Sequence, residues 1–176
     1  MKSILTSDQV KVIEKAIANY GTVAQLEQAV EEFGELIVAI QKYKRANRVY
    51  GSPPSPEKAI KAESDLKGEM ADALIMAWQV SHIEQLTQVE VSSHSDENLD
   101  FDRAGRLLGQ VSALLICDLI RGGVSRRMED NLRYLSCLIY SAANLKGWEN
   151  EVTHIMAYKI ERLRCRMEES EPKTNP

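Results

Sequence analysis

Two acid pairs limit what this chain can fold into. Glu32 and Glu35, and then Glu69 and Asp72, stand three residues apart inside stretches whose apolar residues recur at helical spacing. Glu31 adds a partner four residues before Glu35. Helix residues three or four apart lie about 5–6 Å from each other on one face. Each cluster therefore aims two or three carboxylates the same way. They flank the apolar stripe, which is Leu26, Val30, Phe33, Ile37 and Ile40 in the first segment and Leu66, Met70, Ala73, Ala77 and Val80 in the second. Asp72 sits in Ala71-Asp72-Ala73-Leu74-Ile75-Met76-Ala77-Trp78, where an ionised carboxylate is costly without a partner. Like charges this close repel, and more strongly where water is scarce. Two helices that bring such clusters together call for a cation between them. An all-oxygen donor set without clustered His or Cys suits Mg²⁺ or Mn²⁺, ions that usually handle phosphate.

Helical periodicity runs through the chain. Nothing reads as a strand, because sustained alternation and Asn-Gly or Asp-Gly turns are missing. The first helix is expected from Ser7 or Asp8, as caps, to about Gly21, the second from about Thr22 to Arg48, and the third from about Glu57 to Val89. Between the last two, Tyr50 to Pro56 holds prolines at 53, 54 and 56, which cannot continue a helix. Further helices are expected over roughly 99–121 and 126–145, split at Gly122-Gly123 with Ser125 as a cap. A last one runs from Glu149 to Glu169 after a stop at Lys146-Gly147. Val91 to Asn98 reads as a polar loop, and 170–176 as a flexible tail. The expected architecture is all-α, a compact bundle of five to six helices in one domain over 1–169. The polar link at 50–56 favours antiparallel neighbours, which lets the two acid clusters face each other.

Composition narrows the partners. The 176 residues suffice for one domain with its own core, and 44% apolar with 27% charged is ordinary globular usage. A net charge of −4 gives no reason to bind a nucleic-acid polymer or an anionic membrane. Cys117, Cys137 and Cys165 form neither a CxxC pair nor a zinc spacing, so they read as thiols of a reducing compartment. No apolar run is long enough for a signal peptide or a membrane span, since the best, Val111 to Cys117, stops at Asp118. A soluble, cytoplasmic protein is expected.

Tyr20-Gly21, Gln25-Leu26 and the run Glu31-Glu32-Phe33-Gly34-Glu35-Leu36-Ile37-Val38-Ala39-Ile40, followed by Glu69-Met70-Ala71-Asp72-Ala73-Leu74-Ile75, resemble the all-α nucleoside triphosphate pyrophosphohydrolases, the MazG-like group. Their signature is ExxE, a spacer, then ExxD. Glu32 and Glu35 match the first half, Glu69 and Asp72 the second, and Glu31 the extra acid of the EExxEL form. The resemblance covers about residues 20–80 and resumes at Lys159 to Arg166, which looks like the family's basic element with Leu163 in place of Asn. The 33-residue spacer between Glu35 and Glu69 is longer than usual for the family, and 99–146 looks like an added helical segment.

The resemblance implies Mg²⁺-dependent hydrolysis of a nucleoside or deoxynucleoside triphosphate to the monophosphate and pyrophosphate, with Mn²⁺ as a substitute. Such an enzyme controls a nucleotide pool, in a cellular or a viral setting. Glu32, Glu35, Glu69 and Asp72 would be metal ligands, and Glu31 or Glu35 the acceptor of the attacking water's proton. Pyrophosphate leaves with high negative charge, so cations are wanted. Lys159, Arg162 and Arg166 share one helical face, and Lys42, Arg45 and Arg48 follow the first acid cluster. Gln25, Gln28 and Gln79 carry amides near the acid faces that suit a base edge. Tyr43 and Trp78 offer stacking surfaces, although a core position is the plainer reading of Trp78. A purine deoxynucleotide is the favoured substrate. A homodimer or homotetramer is expected, since 107–120 and 132–145 are rich in Leu, Ile and Ala.

Other readings use some of the same residues. A pyrophosphatase specific for dUTP or dCTP, or a phosphoribosyl-ATP pyrophosphohydrolase, shares the acids and differs in the pocket. A di-iron carboxylate bundle needs two Glu-x-x-His motifs, and only Glu151 to His154 supplies one. A non-enzymatic helical binding or scaffold protein accounts for the amphipathic helices but leaves the acids beside the stripes without a reason.

Overall fold

Capping chemistry sets most of the helix boundaries in the computed structural model, which describes residues 5–47, 55–86, 99–122 and 126–170. Arg48, the prolines at 53 and 54, the polar loop 91–98, the cap at Ser125 and residues 171–176 lie outside the described residues. The helices are α1 (Ser7–Tyr20), α2 (Thr22–Asn47), α3 (Pro56–Ile83), α4 (Phe101–Arg121), α5 (Arg126–Lys146) and α6 (Glu149–Ser170). No strand occurs among the described residues, so the chain is an all-α bundle.

The cap of α1 is Thr6, one residue ahead of the expected Ser7. Its hydroxyl accepts from the Gln9 N–H at 3.3 Å, and the Gln9 side chain accepts from the Thr6 N–H at 2.9 Å. Asp100 caps α4 through the Arg103 N–H at 2.7 Å. Gly147 ends α5 in the left-handed region, with φ 71, and the Trp148 N–H reaches back to the Ala143 carbonyl at 2.8 Å.

The third helix stops at Ile83, short of the expected Val89. Gln85 adopts φ 54, donates to the His82 carbonyl at 3.2 Å, and lets the Leu86 N–H reach the Ser81 carbonyl at 2.9 Å. This is a left-handed helix stop made without the usual glycine, so composition gave no sign of it.

Packing places α3 at the centre. Every residue from Ala73 to Ser81 is buried, because α2, α5, α6 and α1 all touch this helix. In α2 the buried face is Ala29, Phe33, Leu36, Ala39, Ile40 and Tyr43. Val30 and Ile37 of the expected stripe are only half-buried, because α2 packs between α3 and α4 and turns its Ala29–Leu36 side inward. Two junctions show that α2 and α3 are antiparallel. Glu32 and Glu35 approach Glu69, while Lys42 and Arg45 share a cavity with Lys58 and Lys61. By the same logic α6 runs parallel to α3, since Lys67 meets Glu151 and Asp72 meets Lys159.

At one end, Tyr43, Phe101 and Trp148 stack edge to face with centroids 5.2–5.7 Å apart. This trio fastens α2, the start of α4 and the α5–α6 turn. Two buried lysines serve the same region. Lys44 donates to the Asp102 carbonyl at 3.0 Å. Lys67 bonds Glu151 at 2.6 Å and Glu63 at 2.8 Å, with its ammonium 5.0 Å from the Trp148 ring centroid. The α4–α5 segment is thus part of the frame: α4 covers α2 and α5 covers α3.

Candidate functional site

The antiparallel register of α2 and α3 brings the acid clusters together midway along both helices. One carboxylate oxygen each from Glu32, Glu35 and Glu69 lies within 4.8 Å of the others. Asp72, one turn beyond Glu69, accepts a hydrogen bond from the Lys159 ammonium of α6. Gln28, one turn before Glu32, donates to Glu32 Oε1 at 2.6 Å and holds that carboxylate. These groups line a cavity of about 610 Å³ walled by α2, α3 and α6, with Tyr20 at the end of α1 completing the lining. Tyr20 reaches it because Gly21, at φ 86, turns the chain from α1 into α2.

Electrostatics make the acid cluster unstable on its own. Burial pushes the Glu32 carboxyl up to about 7; Asp72 and Glu35 push the same way, against Gln28 and Lys159. Burial likewise raises Glu69 to about 7, with Asp72 and Glu35 adding to it and Lys159 opposing. Glu69 Oε2 is buried without a hydrogen-bond partner among the described residues. Leaving such an oxygen unsatisfied costs about 1–3 kcal/mol. A divalent cation among these carboxylates would relieve the repulsion and satisfy the orphaned oxygen, and an all-oxygen set of acids fits a hard ion.

The structure brings most of the residues singled out above to this one cavity. Glu32, Glu35, Glu69, Asp72, Lys159, Arg162, Arg166, Gln25, Gln28 and Gln79 all line it. Glu31 is exposed and does not. Lys42 and Arg45 line a separate cavity of about 400 Å³ with Lys58 and Lys61. At a helical rise of 1.5 Å per residue they stand about 10–15 Å beyond Glu35. Tyr43 belongs to the aromatic trio. Trp78 is buried, stacked on His82 at 5.0 Å. His154 is exposed and does not line the cavity.

Residues that sequence reasoning gave no role also line the cavity: Tyr20, Ile75, Met76, Ile160 and Leu163. Four of these are apolar, and only the three-dimensional arrangement shows that they line the cavity. Comparison of the chain with protein-family models, curated proteins and solved structures finds no match. Among the described residues no helix is long and apolar enough to cross a membrane.

Proposed function

We propose that this chain is a divalent-metal-dependent nucleoside triphosphate pyrophosphohydrolase of the MazG-like, all-α kind. The observation that carries the reading is the convergence of Glu32, Glu35 and Glu69 in a cavity whose facing wall supplies Lys159, Arg162 and Arg166. The same residues carry the ExxE and ExxD resemblance. Leu163, where that family has Asn, lines the cavity and makes the wall less polar at that point.

In this reading Glu32, Glu35 and Glu69 would hold Mg²⁺ or Mn²⁺, with Asp72 as a fourth ligand. Held there, the ion would supply charge neutralisation for the triphosphate and acidify a water for attack. Lys159, Arg162 and Arg166 bind the phosphates that depart as pyrophosphate. The water oxygen adds at the α-phosphorus, the bridging oxygen leaves with pyrophosphate, and the monophosphate remains. Glu31 lies outside the cavity lining, so the water's proton passes to Glu35. The exposed Leu114, Ile120 and Leu145 of α4 and α5 favour assembly into a homodimer or homotetramer.

The test is a panel of the common ribo- and deoxyribonucleoside triphosphates and dUTP with Mg²⁺ or Mn²⁺, separating monophosphate plus pyrophosphate from diphosphate plus phosphate. Glu69→Gln and Asp72→Ala are the controls. Release of pyrophosphate that both variants abolish is the expected result. Turnover of dUTP or dCTP alone would narrow the reading to a specific pyrophosphatase. No turnover of any nucleotide with either metal would overturn the enzyme reading and leave a binding protein.

A further inference from the structure

Gln79 is 1% exposed, and its Oε1 is buried without a hydrogen-bond partner among the described residues. The side chain nevertheless lines the acid cavity. A buried amide oxygen left unpaired is a loss that folded proteins rarely keep, unless water or a ligand donates to it. Its position along the helix says what kind of ligand. Gln79 lies seven residues beyond Asp72 on α3, and Gln25 seven residues before Glu32 on α2. In the antiparallel pair both amides therefore fall at one level, about 10 Å from the acids.

The wall between the acids and Gln79 is Ile75 and the flexible thioether of Met76. Tyr20 closes the lining from α1, with 48% of its surface exposed, and supplies the cavity's aromatic ring. Of the other two amides lining the cavity, Gln28 is already committed to Glu32 and Gln25 is only half-buried. One region of the cavity thus offers charge and the other an apolar wall, an aromatic ring and a single buried amide.

We propose that Gln79 and Tyr20 form a nucleobase subsite, in which Gln79 reads the hydrogen-bonding edge of the base and Tyr20 stacks on its face. The assignment rests on the nucleotide reading above and names the two residues that make a nucleoside triphosphate, and not bare polyphosphate, the ligand. An amide presents one acceptor beside one donor, which complements a base edge carrying a donor beside an acceptor. A carboxylate at this position presents two acceptors, which complement the adjacent N1–H and N2–H donors of guanine.

The experiment is calorimetric titration of wild type, Gln79→Leu, Gln79→Glu and Tyr20→Ala. The probes are α,β-methylene nucleoside triphosphates of all four bases and inorganic tripolyphosphate, each with Mg²⁺. Thermal melting of each variant identifies any that fails to fold, and Tyr20→Ala and Gln79→Glu carry the test if Gln79→Leu does. The wild type is expected to bind a nucleotide at least tenfold more tightly than tripolyphosphate. Gln79→Leu and Tyr20→Ala should each remove about tenfold of that preference. Gln79→Glu should shift relative affinity towards the guanine analogue.

Variants that leave the nucleotide-to-tripolyphosphate ratio and the base order unchanged would overturn the subsite while leaving the hydrolase reading standing. Gln79-dependent binding by a protein that hydrolyses no nucleotide would support the subsite and remove the hydrolase. Binding of no analogue at all would overturn both.

Discussion

Lys159 of α6 donates to Asp72 of α3, so one of the ion pairs tying these helices lies inside the acid cavity and engages a candidate metal ligand. A cation arriving at the carboxylates competes with that ammonium for Asp72. Lys159→Met is expected to tighten Mg²⁺ binding several-fold and to weaken pyrophosphate binding at least tenfold, both read by calorimetry. Weaker Mg²⁺ binding in the variant would count against Asp72 as a ligand.

The raised Glu32 and Glu69 carboxyls give the metal-free protein a pH-dependent stability. Unfolded, both ionise near 4.5; folded, near 7. Between these values the folded chain holds more protons than the unfolded one, so stability falls as pH rises. The contribution is complete below about pH 4.5 and gone above about 7. Both groups are partly solvated, so the loss across the window is about 1–3 kcal/mol. Urea melts of metal-free wild type against the Glu32→Gln, Glu69→Gln double variant measure it. The variant's curve should be flatter by that amount, and equal slopes would show that the acids are not strained.

Saturating Mg²⁺ should raise the melting temperature at pH 8, because a ligand bound only by the folded state stabilises it by about 2.7 kcal/mol at a hundredfold excess over Kd. Glu69→Gln should abolish most of the rise. A Mg²⁺ shift of equal size in that variant would place the ion elsewhere.

Two glycines of α4 predict opposite results from one substitution. A Cβ at Gly109 meets nothing within 4 Å, so Gly109→Ala should stabilise the protein by about 0.5–1 kcal/mol. At Gly105 the same atom would fall 2.9 Å from Lys44 Cε, 3.1 Å from Lys44 Nζ and 3.3 Å from Ile40 Cγ2. Moving the Lys44 ammonium away breaks its bond to the Asp102 carbonyl in a buried position. Gly105→Ala should therefore destabilise by about 1–2 kcal/mol despite the gain in helix propensity. Denaturant melts of the two variants side by side decide the matter.

Lys67 supports the junction of α3 and α6. Burial disfavours its ammonium, but the hydrogen bonds it donates to Glu151 and Glu63 outweigh that and raise its pKa. Lys67→Ala removes both bonds and the contact with the Trp148 face. Both acids keep access to water, so the expected loss is about 1–3 kcal/mol. A change under 0.3 kcal/mol would show that Trp148 needs no cation.

The acid spacing at 32/35 and 69/72 was legible because i,i+3 geometry is local, and the pairing of α2 with α3 followed from one short link. What the sequence hid was set by neighbours distant in the chain. Ala29 and Leu36 displace Val30 and Ile37 from the buried face because α4 covers α2 from a second side. Lys44 and Lys67 read as solvated charges until Asp102, Glu63 and Glu151 are seen around them. Lys42 and Arg45 share the acid-bearing helix, but their distance along it takes them to another cavity. Gln85 takes a backbone conformation that sequence reasoning reserves for glycine or asparagine.

The aromatic trio lies about 12 Å along α2 from Glu35. The aromatic fastening of α2 to the start of α4 and the α5–α6 turn therefore stands apart, along α2, from the carboxylates. Among the apolar cavity residues Ile75 and Met76 belong to the buried core, whereas Leu163 is half-buried, so Leu163 is the position at which the cavity wall can be altered with the least intrusion on the frame.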